Sequence, residues 1–121
     1  MMKKTFVILL YLLPALAIGQ TKKLIWSEEF DYKGLPDSTK WVYEQGFVRN
    51  REPQYYTVKR LKNAKVENGN LIITAVKEDY NGPKYTSASI TTRGKCEFSL
   101  CRVQVKAKLP KGTSVWPAIW T

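Results

Sequence analysis

The sequence predicts an all-β sandwich. Three observations carry that prediction. Short apolar runs alternate with period two along much of the chain, most cleanly in Arg102–Leu109, "RVQVKAKL". An Asn-Gly pair, Asn68-Gly69, stands between two such runs, and a primed two-residue turn needs residues that tolerate positive φ. No helical period of useful length follows the first twenty residues. Many short strands punctuated by turn residues build sandwiches.

The elements follow in chain order. "MMKKTFVILLYLLPALAIGQ" begins with Lys3 and Lys4, continues into the apolar run Phe6–Leu13, and ends on small residues up to Gly19. The run is too short to cross a bilayer as a helix. It reads as a cleavable signal peptide over residues 1–19, which leaves a domain at 20–121 and predicts export to the periplasm or medium. Polar residues follow Gly19 at once, so no stable membrane anchor is expected.

Leu24–Phe30 is the first predicted strand. Asp31–Lys40, "DYKGLPDSTK", is turn chemistry. Trp41–Tyr43 and Gln54–Val58 are the next strands, the latter dense in β-formers, with Tyr55 and Tyr56 facing opposite ways. The Asn68-Gly69 hairpin follows, then a turn at Glu78–Pro83 and a strand at Tyr85–Thr92. Arg93-Gly94 turns the chain toward Arg102–Leu109, where Val103, Val105, Ala107 and Leu109 share one face. Trp26 and Trp41 are assigned to the core.

Composition excludes several chemistries. The 121 residues are one domain's worth, and 44% hydrophobic content with 12% aromatic is globular. The chain has no histidine, so no Ser-His-Asp or Cys-His arrangement exists. No glycine pattern resembles a phosphate or dinucleotide loop. The net charge of +10 comes from scattered lysines, which suit solvated faces and strand edges; no nucleic-acid partner is expected. Cys96 and Cys101 would lie on opposite faces of a flat strand and roughly 16 Å apart, beyond disulfide reach. No turn signal falls between them, so two separate thiols at packing positions are expected. Two cysteines alone do not complete a zinc site.

Six stretches occur in a telling order: "WSEEFDYKGLPDSTKW", "GFVRNREPQYYT", "NAKVENGNLIITAVKE", "YTSASITTRGK", "RVQVKAKLPKG" and "WPAIWT". Together they resemble glycoside hydrolase family 16, and most of all its laminarinase or endo-β-1,3-glucanase branch. The resemblance covers Leu24–Thr121. It implies a β-jelly-roll of the concanavalin A-like type, with a β-glucan cleft across a concave sheet, in a domain of roughly 250 residues. It also implies retaining hydrolysis by two carboxyls about 5–5.5 Å apart. The family carries these in a Glu-x-Asp-x-x-Glu strand shortly after the segment matching "WPAIWT". That strand is expected to lie beyond Thr121. Within the chain only Glu29-Phe-Asp31 starts the pattern, and Gly34 stands where the closing Glu belongs. No catalytic residue is assigned.

The resemblance implies Asn50 as a sugar hydrogen-bonding residue, with Glu52 in the same loop; turn chemistry explains both as well. Trp116 and Trp120 share a face if the chain is extended. Aromatic faces suit the C–H faces of glucose rings, and they equally suit a sandwich core. For Trp116 core packing is preferred. Ser89 stands where many laminarinases have Arg, and Cys96 and Cys101 where an aromatic and a Gly are commoner. No cofactor is required. Family members often hold a structural calcium, but no ligand set for one is legible here. The alternative to a glucanase is a non-catalytic carbohydrate-binding module.

Overall fold

A computed structural model describes residues 22–113 and 115–121, and every regular element among them is a β-strand. The signal peptide read at residues 1–19 lies outside the described residues. Among the described residues no helix is long and apolar enough to cross a membrane. The strands are β1 (Val42–Tyr43), β2 (Gln54–Tyr56), β3 (Ala64–Glu67), β4 (Asn70–Ile73), β5 (Val76–Lys77), β6 (Tyr85–Ser87) and β7 (Ile90–Thr91).

The hairpin forms as read. β3 and β4 pair antiparallel with Glu67 opposite Asn70 and Val66 opposite Leu71. That register leaves two residues for the turn, Asn68 at φ 53° and Gly69 at φ 69°. Both lie in the left-handed region that a primed turn demands. The alternation then buries Ala64 and Val66, while Lys65 and Glu67 stay half-exposed and ion-paired to each other at 2.8 Å. A backbone bridge between Gly34 and Val66 adds the "DYKGLPDSTK" turn to the outer edge of β3.

The remaining strands form two further small sheets. β6 lies between β2 and β5, antiparallel to β5 but parallel to β2. A parallel pair needs a long crossover, and here residues 57–84, the hairpin included, supply it. β1 pairs antiparallel with β7, Val42 opposite Thr91. The predicted strand Tyr85–Thr92 is thus divided. Its first half serves β2 and β5 and its second half serves β1, while Ala88-Ser89 between them belongs to neither strand, although the Ser89 carbonyl accepts from the Glu44 N–H at 2.9 Å.

Polar groups occupy much of the interior. Asn63 is 1% exposed and uses every side-chain hydrogen-bonding atom. Its Oδ1 accepts from Thr57 Oγ1 at 2.9 Å and Arg60 Nη1 at 3.1 Å, and its Nδ2 donates to the Thr74 carbonyl at 3.1 Å and Thr86 Oγ1 at 3.0 Å. Arg60, Lys62 and the Thr86 hydroxyl all donate to the Glu78 carboxylate. The Arg60 guanidinium, followed by Lys62 and Thr86, holds that carboxyl far below its usual range. Buried polar groups require such partners, and the network ties β3, β5 and β6 together.

Two predicted strands are not strands. Leu24–Phe30 and Arg102–Leu109 form no strand and pair with nothing among the described residues, and Phe30 ends the first segment at φ 58°. Alternation marks a chain that can be a strand; a neighbour offering N–H and C=O groups makes it one. Without that neighbour, Val103, Val105 and Leu109 remain exposed. Trp26 nevertheless packs edge-on against Trp41 at 5.8 Å and against Phe98 at 5.9 Å, so both tryptophans join an aromatic cluster. Cys96 and Cys101 are separate free thiols. Cys101 is not a packing position, however: it is exposed, and the chain bends before it at Leu100, whose φ is 49°.

Candidate functional site

The loop 47–55 is closed at its base by paired backbone bonds between Gly46 and Tyr56, both 3.0 Å long. At its tip Asn50 and Arg51 adopt φ 57° and 52°, and the Glu52 N–H reaches back to the Arg49 carbonyl at 3.2 Å. Asn tolerates the left-handed region through local hydrogen bonding; Arg adopts it rarely. Asn50 is exposed at this tip.

Beyond the tip, alternation places Glu52, Gln54 and Tyr56 on one side of the extended chain. Glu52 Oε2 accepts from the Tyr56 hydroxyl at 2.7 Å and from Gln54 Nε2 at 2.9 Å. Burial, then the bond to Glu52, raises the Tyr56 phenol above its ordinary pKa, so it stays a donor. Tyr55 faces the other way, against Phe47 and Tyr80, both at 5.6 Å.

Arg49 ties this row to its surroundings. Its guanidinium lies 5.6 Å from the Tyr56 ring and 5.6 Å from the Trp120 ring, within reach of the electrostatic attraction between cations and aromatic faces. It also pairs with Glu44, whose Oε2 accepts from Ser89 Oγ at 2.5 Å. The Ser89 hydrogen bond, and next Arg49, pull the Glu44 carboxyl below its usual range. Ser89 thus sits directly beside a guanidinium, although that guanidinium comes from Arg49, 40 residues earlier.

Of the four candidate residues, the structure brings Glu52 and Trp120 into one neighbourhood through Arg49 and Tyr56. Asn50 is close in sequence but makes no side-chain hydrogen bond among the described residues. Trp116 is 89% exposed, so its preferred assignment to the core is wrong: no second layer covers it among the described residues. Trp120 is 62% exposed and keeps much of its ring open. Glu44, Arg49, Gln54 and Tyr56 were not singled out from the sequence. The spacing Glu52-x-Gln54-x-Tyr56 in a β-run could have revealed two of them. The Glu44–Arg49 pair depends on how the loop closes, which no local pattern shows.

Chemically, the cluster offers hydroxyl, amide and carboxylate groups beside an open indole. Such a combination suits a sugar, since polar groups can take hydroxyls while a flat ring takes the C–H face. It is poorly suited to proton donation. A general acid needs a carboxyl kept protonated by its setting, and Glu44, beside Arg49, is pushed the opposite way. No group of three His, Cys, Asp or Glu side chains converges among the described residues. Glu28, Glu29, Asp31 and Asp37 do line one open depression of roughly 260 Å³, but Lys40 lines it too and sits 3.3 Å from Glu28. That depression shares no residue with the Arg49 cluster.

No family model matches the chain. The β-glucanase of Rhodothermus marinus is 44% identical over 99% of this chain and 45% of its own length. The X-ray structure of the laminarinase from Rhodothermus marinus superposes with a TM-score of 0.61 at 52% identity, covering 63% of this chain and 31% of that one. The crystal structure of a non-specific endo-β-1,3(4)-glucanase of glycoside hydrolase family 16 gives 0.58 at 40% identity, covering 63% and 32%. Over this span the chain is similar to members of glycoside hydrolase family 16. The chain spans a little under half of the β-glucanase it matches, and its all-β fold is similar to that part of these jelly-roll neighbours.

Proposed function

We propose that this chain supplies part of the glycan-binding face of a secreted, retaining endo-β-1,3-glucanase of the laminarinase type, with β-glucan as its partner. The observation that carries the proposal is the cluster around Arg49. There Glu52, Gln54 and Tyr56 form a hydrogen-bonded row and Trp120 offers an open ring beside it. Glu52 and Gln54 take sugar hydroxyls, and Trp120 takes the apolar face of one ring. Asn50, at the loop tip, is a further contact. Residues 1–19 direct export and are removed.

Bond cleavage is not assigned to these 121 residues. Hydrolysis with retention needs a nucleophile and an acid/base at close spacing, and the sequence carries no Glu-x-Asp-x-x-Glu pattern. The purified chain is expected to show laminarin-dependent quenching of tryptophan fluorescence, weakened by Trp120→Ala and by Glu52→Gln. It is expected to release no reducing sugar from laminarin. Quenching unchanged in both variants would remove the binding role, and sustained sugar release would remove the assignment of catalysis elsewhere. The second reading is a binding module with no catalytic role. Adding the family's catalytic strands to this chain separates the two, since only the glucanase reading gains turnover.

A further inference from the structure

We infer that Asn68 is a site of spontaneous chemical modification in the folded protein: its side-chain amide is lost through attack by the Gly69 backbone nitrogen. The sequence holds two Asn-Gly pairs, Asn68-Gly69 and Asn81-Gly82, each exposed in a turn with Asn at φ 53°. Glycine lacks a Cβ, so it neither shields its nitrogen nor resists the backbone rotation that attack requires. A Cβ built on either glycine would meet nothing within 4 Å, so both turns are open to water.

The two pairs differ in the attacking nitrogen. The Gly82 N–H donates to Asp79 Oδ1 at 3.2 Å, and Lys84 holds that carboxylate from the other side at 3.0 Å. The Gly69 N–H has no acceptor among the described residues. Its two-residue turn places the ladder bonds on Glu67 and Asn70 instead. The Asn68 side chain likewise makes no hydrogen bond among the described residues. The nucleophile must lose its proton before it attacks. An N–H held by a carboxylate loses it less readily and must first break that bond.

The step balances without any oxidant. The Gly69 nitrogen gives its proton to solvent base and bonds to Cγ of Asn68; the Cγ–NH2 bond breaks and ammonia leaves. Water then opens the cyclic imide at either carbonyl, giving aspartate or isoaspartate. Isoaspartate inserts one more carbon into a turn that has room for only two residues between Glu67 and Asn70. Either product adds a negative charge beside Glu67, whose carboxylate already engages Lys65 and Lys33.

The test incubates the full chain in mildly alkaline buffer and follows both turns by peptide mass spectrometry, with isoaspartyl methyltransferase labelling of the product. Breaking an amide-to-carboxylate hydrogen bond first sets the expected advantage of Asn68 over Asn81 at about tenfold in rate. In urea the two rates should converge. Asp79→Ala frees the Gly82 N–H and should bring Asn81 up toward Asn68 in the folded chain. Equal folded rates, an Asn81 rate unmoved by Asp79→Ala, or an Asn68 stable when folded but modified in urea would each overturn the inference.

Discussion

Asn63→Ala tests whether the polar interior holds the fold. The substitution removes four side-chain hydrogen bonds, to Thr57, Arg60, the Thr74 carbonyl and Thr86. Each is worth about 1 kcal/mol net. Thr57 keeps its bond to the Ser87 carbonyl at 3.2 Å, and Arg60 and Thr86 keep Glu78. Thr74 is exposed, so water can replace what its carbonyl loses. The expected loss is therefore about 3 kcal/mol, short of the sum of four bonds plus stranded partners. Urea unfolding followed by tryptophan fluorescence reads this as a midpoint lowered by roughly 1–2 M. Thr57→Val keeps the shape, removes the shared hydroxyl and should cost roughly 1–2 kcal/mol. Because the Thr57–Asn63 bond is counted in both, the double variant should fall short of additivity by about 1 kcal/mol. An Asn63→Ala chain within about 0.5 kcal/mol of the exposed control Lys77→Ala would refute the reasoning.

Further outcomes follow from the same geometry. Glu78 has its carboxyl pKa lowered by Arg60, Lys62 and Thr86, so its contribution is fully present above the ordinary value of 4.5 and is lost as pH falls toward the folded value. Glu78→Gln should thus flatten the decline of the melting temperature below about pH 5, and a parallel decline in both chains would contradict this. Gly69→Ala should cost about 1 kcal/mol, since φ 69° strains any residue with a Cβ even where nothing touches that atom. Thermal unfolding measures it, and an unchanged melting temperature would mean the turn relaxes. Arg49→Ala should release Trp120 from its cation neighbour, shifting the emission of that tryptophan to longer wavelength relative to a Trp120→Phe background; an unaltered spectrum would place Trp120 elsewhere.

Local chemistry made the hairpin legible, because Asn68-Gly69 fixes the turn and the turn fixes the register. The strand character of Val42–Tyr43 and Gln54–Tyr56 was legible for the same reason: β-forming residues bounded by turn residues. Pairing was not. Nothing in "QYYTV" says that it runs parallel to Tyr85–Ser87, and nothing in "YTSASITT" says that it divides at Ala88. Those facts depend on which backbone edges meet. Leu24–Phe30 and Arg102–Leu109 show the converse, a strand-like pattern with no partner among the described residues. At the candidate site the resemblance named Asn50 and Glu52, and the structure places Glu52 in a hydrogen-bonded row with Gln54 and Tyr56. Arg49 escaped notice because its role lies in contacts with Glu44, Tyr56 and Trp120, which no spacing encodes. Trp116 was misjudged because an apolar ring is buried only where a second layer exists to cover it.

The parallel meeting of β2 and β6 has a kinetic consequence. The two edges cannot meet until residues 57–84 have been gathered into a closed loop, and closing a long flexible loop costs entropy before any contact rewards it. The β3–β4 hairpin lies inside that loop. A two-residue hairpin forms within about 1–10 μs, far ahead of most long-range pairing. Once zipped, it removes its own residues from the flexible span and leaves a shorter path to close. The turn at Asn68-Gly69 thereby shortens the loop that distant parts of the chain must close, and an ageing change at that apex would be felt as modestly slower assembly.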